Sequence, residues 1–210
     1  MKRIMCFGDS NTHGYDPVGP TRYEYDVRWT GRLAKALGED YMVIEAGLNG
    51  MTSGFDDPDK PNRNGQRAIG YFLHANKPLD FIVVMAGTND TKTKFHADLE
   101  RIGANLENLL KLITEHEQTE QNDTKILVIA PVPMDERVAH LEDDDDMDEH
   151  SVELSRNLQP VVKAVADKLG LLFADASRWG IELSFDGCHF SKEGHKIFAE
   201  NIEIEIRKYI

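Results

Sequence analysis

Two polar stretches near opposite ends of the sequence contain the residue types that nucleophilic catalysis requires. An apolar run close to the N-terminus stops at Gly8, and Asp9 and Ser10 follow it. Close to the C-terminus, Asp186 precedes His189 by three residues. A serine hydroxyl is a weak nucleophile unless a base lies within hydrogen-bond reach, and a histidine oriented by a carboxylate is such a base. We therefore predict a catalytic set in which Ser10 is the nucleophile, His189 the base and Asp186 the acid that orients it.

Attack on a carbonyl also requires donors that stabilise the oxyanion of the tetrahedral intermediate. The sequence offers three candidates beside the predicted nucleophile: the backbone amides of Ser10 and Gly50 and the side-chain amide of Asn89. Glycine at position 50 allows the backbone to approach a substrate closely. We predict that these three groups form an oxyanion hole.

Three further residues, Asn11, His13 and Trp29, are predicted to contact the substrate. Each has a structural alternative that the sequence leaves open. Asn11 belongs to a segment typical of turns, His13 could cover the rim of the site, and Trp29 could be a core anchor. His195 is a rival to His189 as the base, but it lacks an acidic residue three positions before it.

The elements that position these residues follow from the hydrophobic pattern. Short apolar runs rich in Val and Ile are typical of strands buried on both faces. Five such runs occur, at residues 4–7, 42–46, 81–85, 126–130 and 171–174. Apolar residues at helical spacing lie between them and predict helices at residues 29–37, 99–113 and 154–169. Ser191 is a candidate N-cap for a last helix towards Tyr209, although residues 202–206 also alternate with period two.

Strands that alternate with helices indicate a parallel sheet with right-handed crossovers. We predict an α/β fold, a three-layer α/β/α sandwich around a five-stranded parallel sheet with flavodoxin-like order. A single domain is expected over residues 1–210. Ligands of such folds bind beyond the carboxyl ends of the strands, which is where the predicted catalytic residues lie.

Composition limits the classes of function. The chain has 210 residues, 40% hydrophobic and 29% charged, and a net charge of −13. So acidic a protein repels nucleic acid and anionic membranes, and neither is expected as a partner. Phosphate-binding glycine loops are absent, and we expect no cofactor and no metal. The acidic run at residues 142–146 lacks the spacing of a calcium loop and is interpreted as a solvated surface.

No signal peptide or membrane-spanning run is apparent, and the two cysteines, Cys6 and Cys188, form no disulfide framework. A cytoplasmic location is therefore expected.

The motifs together resemble the SGNH, or GDSL-like, hydrolase family. Its conserved blocks correspond to Ser10, Gly50, Asn89, and Asp186 with His189. The segments CFGDSNTHGY, DVRWTGRLAKALG, VIEAGLNGMTS and MAGTNDTKTKF resemble the arylesterase/acyltransferase branch of that family. The resemblance implies a flavodoxin-like fold, no metal, and hydrolysis of short-chain esters. Some members of the branch also transfer acyl groups to alcohols or are oligomers, so a homo-oligomer stays open.

We therefore expect a serine esterase that hydrolyses small-molecule, acetyl-type esters through an acyl-enzyme, with acyl transfer to alcohols as a further activity. A carbohydrate O-acetylesterase or a lysophospholipase with the same site is the alternative among enzymes. The alternative from another class is a non-catalytic flavodoxin-like binding module, which would not need the four motifs together.

Overall fold

Five parallel strands form the central sheet of the protein. The computed structural model describes residues 1–120, 123–141 and 146–210. In chain order the strands are β1 (Lys2–Gly8), β2 (Tyr15–Asp16), β3 (Thr21–Arg22), β4 (Tyr41–Gly47), β5 (Phe81–Met85), β6 (Lys125–Ala130) and β7 (Leu172–Asp175). The central sheet has the order β4-β1-β5-β6-β7, while β2 and β3 pair as a separate antiparallel hairpin.

Helices cover both faces of this sheet. They are α1 (Ser10–His13), α2 (Trp29–Leu37), α3 (Gly65–Asn76), α4 (Leu99–Thr119), α5 (Glu149–Arg156), α6 (Leu158–Leu169) and α7 (Lys192–Arg207). Short 3₁₀ helices occupy Thr88–Thr91, Thr93–Phe95, Glu136–His140 and Ala176–Arg178.

The alternation of side chains along each strand divides the apolar core into two parts. In β1, Met5 and Phe7 face the layer that contains α3, α4 and α6, whereas Ile4 and Cys6 face the layer of α2 and α7. All four side chains are buried, as expected for a strand covered on both faces. The predicted three-layer α/β/α sandwich with flavodoxin-like strand order is confirmed.

One predicted helix is in fact two. The pattern predicted a continuous helix over residues 154–169, but α5 ends at Arg156 and α6 begins at Leu158. The physical reason is Pro160, which has no N–H to donate to the carbonyl of Arg156. Asn157 instead donates its backbone N–H to the carbonyl of Leu154, at 3.0 Å.

The sequence analysis missed α3 and the β2–β3 hairpin. The signals for α3 were Asn64, whose side chain accepts from the backbone of Gln66, and the spacing of Ile69 and Leu73. The ambiguous C-terminal segment is helical. Ser191 caps it as predicted, and Ile202 and Ile206, one turn apart, are both fully buried.

Candidate functional site

Ser10 stands at the carboxyl end of β1, where the strand changes directly into α1. Asp9 makes this turn, because its side chain accepts the backbone N–H of Asn11 at 3.0 Å. Position 8 requires glycine because neighbouring atoms leave no room for a side chain. A Cβ there would lie 2.4 Å from Thr12 Oγ1 and 2.5 Å from the carbonyl oxygen of Met85. Asp9 therefore serves as the cap, and the Ser10 hydroxyl stays free to face the cavity beyond the sheet.

Ser10, His189 and Asp186 form a continuous chain of hydrogen bonds. The Ser10 Oγ lies 2.9 Å from His189 Nε2, and His189 Nδ1 lies 2.6 Å from Asp186 Oδ2. Asp186 Oδ1 also accepts the backbone N–H groups of Cys188 and His189, at 3.1 and 3.0 Å. Ser10 and His189 are 179 positions apart in the sequence, and the fold brings both together with Asp186. The arrangement is suited to proton transfer.

The electrostatics of Asp186 favour its charged form. Burial alone would raise the pKa of this carboxyl, but its hydrogen bonds with His189 and Cys188 outweigh that effect. The pKa of Asp186 is therefore lowered from its ordinary value. A carboxylate in this position holds the imidazole with Nδ1 protonated and leaves Nε2 as an acceptor for the Ser10 hydroxyl.

Gly50 and Asn89 line the same cavity as Ser10 and His189. Gly50 has a φ of 76°, a left-handed conformation that favours glycine. The Asn89 side-chain amide donates one hydrogen bond to the carbonyl of Met51, at 3.1 Å, and its second N–H is available for another acceptor. Ser10, as the first residue of α1, carries a backbone N–H without an intrahelical partner.

Asp90, which the sequence analysis missed, supports this region from behind. Its carboxyl accepts the backbone N–H of Ser53 at 2.8 and 3.1 Å, and it also accepts the Ser53 hydroxyl. Burial raises the pKa of Asp90 to about 6. The contact ties the segment that follows Gly50 to the 3₁₀ helix that carries Asn89. The signal available in the sequence was only that Asp90 follows Asn89.

None of the three predicted substrate-contacting residues is among the described residues that line the cavity. Trp29 is 1% exposed, packs on Phe198 and donates its indole N–H to the Asn11 carbonyl. The Asn11 side chain donates to the carbonyl of Cys188 at 3.2 Å and accepts the backbone N–H of Phe190 at 2.9 Å. Asn11 thus holds the chain on both sides of His189, which is a structural role, and its contact with the substrate stays a prediction.

His13 and His195 are also placed outside the hydrogen-bonded set. His13 is half-buried beside Gly47 and is not among the residues that line the cavity. His195 is fully buried and its Nδ1 accepts the backbone N–H of Trp29 at 3.3 Å. Burial lowers the pKa of His195 to about 3. It is therefore a neutral core residue, as expected if His189 is the base.

The cavity in front of Ser10 has a volume of about 410 Å³. Tyr15, from the hairpin, packs its ring 4.7 Å from that of His189. Most of the wall was not predicted from the sequence, although Tyr15, Asn49 and Lys92 lie within the segments that carry the family resemblance. The missed lining residues are Tyr15, Asn49, Lys60, Arg63, Lys92, Val138, Leu141 and Met147.

Of the acidic run at residues 142–146, positions 142–145 lie outside the described residues. Asp146 is described, and it pairs with Lys92 Nζ at 3.0 Å and Lys94 Nζ at 2.9 Å. Within residues 1–120, 123–141 and 146–210, no group of three or more His, Cys, Asp or Glu side chains could hold a metal ion.

Comparison with known proteins agrees with this geometry. The model of the GDSL-like lipase/acylhydrolase family matches residues 6–197. Est24, a carbohydrate acetylesterase from Sinorhizobium meliloti, is 32% identical, with a TM-score of 0.91 and full coverage of both chains. Another carbohydrate acetylesterase family member from that organism is 34% identical, with a TM-score of 0.90, covering 99% of this chain and 98% of its own.

The aryl esterase of M. smegmatis is 32% identical, with a TM-score of 0.89 and full coverage of both chains. No curated protein sequence matches the chain. The chain belongs to the GDSL-like lipase/acylhydrolase family, and the resemblance identified from the sequence is confirmed. The protein is an SGNH-type serine esterase. None of the helices in the described parts of the chain is long and apolar enough to cross a membrane.

Proposed function

We propose that the protein hydrolyses short-chain carboxylic esters through an acyl-enzyme formed on Ser10. The observation that carries this proposal is the hydrogen-bonded chain from Ser10 through His189 to Asp186. Ser10 Oγ attacks the ester carbonyl while its proton passes to His189 Nε2, and His189 then returns the proton to the departing alcohol. Water, activated by the same imidazole, releases the acid in the second half of the reaction. An alcohol in place of water would give acyl transfer.

The developing oxyanion is stabilised, in this proposal, by the backbone N–H groups of Ser10 and Gly50 and the side-chain N–H of Asn89. Two of these donors belong to the backbone, and the side-chain donor is held by another contact before substrate binds. Asn89 is fixed through its bond to Met51. In many acyl-transfer reactions, stabilisation of the oxyanion by donors that need no reorganisation is the largest single contribution to the rate enhancement.

Replacing Asn89 by alanine tests the oxyanion role. We expect Asn89→Ala to lower kcat by about 10²- to 10³-fold with little change in KM, because the lost hydrogen bond forms mainly in the transition state. Steady-state kinetics on p-nitrophenyl acetate measures both constants. An unchanged kcat with a raised KM would make Asn89 a ground-state binding residue instead. Since Asn89 also holds Met51, circular dichroism and thermal unfolding must first establish that the variant is folded.

The cavity wall favours a short acyl group. Its apolar part consists of Val138, Leu141 and Met147, which belong to or border the loop after β6. These side chains can cover a few methylene groups, each worth roughly 0.8 kcal/mol when buried. A longer chain would leave this patch and extend over polar surface or into water, where further methylenes add little binding energy.

We therefore expect kcat/KM to be highest for acetyl to butyryl esters in a series of p-nitrophenyl esters with two to twelve acyl carbons. The measurement is initial rates at low substrate concentration, below the aggregation limit of the longer esters. An optimum at eight carbons or beyond would contradict the proposal and favour a lysophospholipase-like function. Absence of any esterase activity in a folded protein would favour a binding module.

A carbohydrate O-acetylesterase is the second candidate, and a specific observation favours it. The cavity wall also includes polar side chains, and Asn49, Lys60 and Arg63 among them are able to bind a hydroxyl-rich alcohol. Two of the similar solved structures are described as carbohydrate acetylesterases. Release of acetate from acetylated sugars, measured beside p-nitrophenyl acetate, distinguishes this function from that of an esterase restricted to aryl leaving groups.

A further inference from the structure

Two cationic side chains meet beside Gly50 at the wall of the cavity. The Cδ atoms of Lys60 and Arg63 lie 3.7 and 3.8 Å from the position that a Cβ on Gly50 would occupy. Both residues line the cavity that contains Ser10 and His189. Two positive charges therefore border the cavity next to a proposed oxyanion donor, in a protein whose net charge is −13.

Neither cation is neutralised by the described part of the chain. Among the described residues, no carboxylate oxygen lies within 4 Å of the Lys60 ammonium or the Arg63 guanidinium. Arg63 donates only to the carbonyl of Pro61, at 3.2 Å, and its enclosed Nε has no hydrogen-bond partner there. A buried donor without a partner is destabilising, and such groups in native proteins call for an explanation.

The acidic residues next to Lys60 in the sequence are already close to another lysine, Lys94. Asp59, the immediate neighbour of Lys60 in sequence, binds Lys94 Nζ at 2.9 Å, and Asp57 lies 3.5 Å from the same atom. Asp146 bonds to both Lys92 and Lys94. Lys92, the third cation of the cavity wall, is thus compensated, whereas no carboxylate among the described residues compensates Lys60 or Arg63.

The distribution of charge over the cavity indicates which part of an ester the cations face. The apolar residues Val138, Leu141 and Met147 suit the short hydrocarbon of the acyl group. An acetyl group is also too small to carry a second charge. The cationic part of the wall is therefore assigned to the alcohol.

We propose that Lys60 and Arg63 bind a carboxylate on the alcohol portion of the substrate, so that the preferred substrate is a short-chain ester of an acidic alcohol such as a sugar acid. This inference rests on the proposed esterase function. A guanidinium offers two parallel N–H donors to a carboxylate, and an ammonium adds a mobile point charge. The pair can donate to hydroxyl oxygens, but its hydrogen bonds to an anion are the stronger ones.

The test compares two substrates that differ only at the carboxyl group: the mono-acetate of a methyl glucuronoside, which is an anion, and the same compound with its carboxylate converted to a neutral methyl ester. We expect kcat/KM for acetate release to be at least about tenfold higher for the acid, the scale of one or two charge-assisted hydrogen bonds. Lys60→Gln with Arg63→Gln should reduce that ratio to near one. The control is Lys35→Gln, which removes one positive charge from an exposed residue of α2. This variant should keep the wild-type ratio of the two rates.

Equal rates for the two wild-type reactions, or a ratio that survives in the double variant, would overturn the assignment. A preference for an anionic acyl group without a preference for the anionic alcohol would also overturn it. The acyl preference is tested by comparing p-nitrophenyl glutarate with p-nitrophenyl valerate. In each of these cases p-nitrophenyl acetate would still be hydrolysed. Failure to hydrolyse any ester would instead reject the underlying esterase function, so the two failures are distinguishable.

Discussion

Ser10→Ala is expected to lower the esterase kcat by about 10³-fold or more while the protein remains folded. The substitution removes the hydroxyl that is hydrogen-bonded to His189 Nε2, so no acyl-enzyme can form. The fold should tolerate the change, because the cap of α1 is supplied by Asp9 and not by Ser10. Substrate binding should change little, since the backbone N–H of residue 10 is retained.

The measurement is turnover of p-nitrophenyl acetate together with the burst of nitrophenol in the first turnover. The wild-type protein should release nitrophenol in a burst, and an organophosphate should label it covalently at Ser10. The variant should show neither. A folded variant with turnover close to that of the wild type would reject Ser10 as the nucleophile.

His189→Ala is the second variant with a large expected effect, again about 10³-fold or more in kcat. An imidazole can accept the serine proton only in its neutral form, so the wild-type kcat/KM should fall at acidic pH. The variant should lose this acid limb along with most of its activity. The pH profile of kcat/KM for both proteins measures the effect.

His195 provides the matched control for this experiment. It is a second histidine in the same segment of the chain, but it is buried, and its pKa is lowered to about 3 by that burial. His195→Asn keeps an acceptor for the backbone N–H of Trp29 and should preserve both the activity and the acid limb. If the acid limb disappeared with His195→Asn and persisted with His189→Ala, the base would have to be reassigned.

Much of the fold could be predicted from the sequence because its strands are buried on both faces. Such strands are continuous apolar runs, and all five were found with boundaries shifted by a few residues at most. The helix break at Asn157 was missed because Pro160 lies within the first turn of α6, a position where proline is tolerated and gives only a weak signal. The helix α3 was missed because only one side of it is apolar, with Ile69 and Leu73 as its fully buried large side chains.

The sequence by itself was sufficient to predict that Ser10, Asp186 and His189 would lie together. Each follows a strand or precedes the last helix, and parallel strands bring their carboxyl ends to one edge of the sheet. The three-residue spacing of Asp186 and His189 is local, so a single turn of backbone satisfies it. These relations depend on chain order and short-range geometry, and both can be read from one sequence.

Only the tertiary structure shows where the side chains of Asn11, Trp29, Lys60 and Arg63 lie. Asn11 was predicted to contact substrate, yet its side chain is occupied by the backbone on both sides of His189, at separations of 177 and 179 residues. Lys60 and Arg63 belong to an irregular loop without a motif, and their meeting beside Gly50 depends on how that loop packs. The direction of a side chain and its long-range partners follow from the assembled fold, because residues of the same type and local pattern can face the core, the solvent or a cavity.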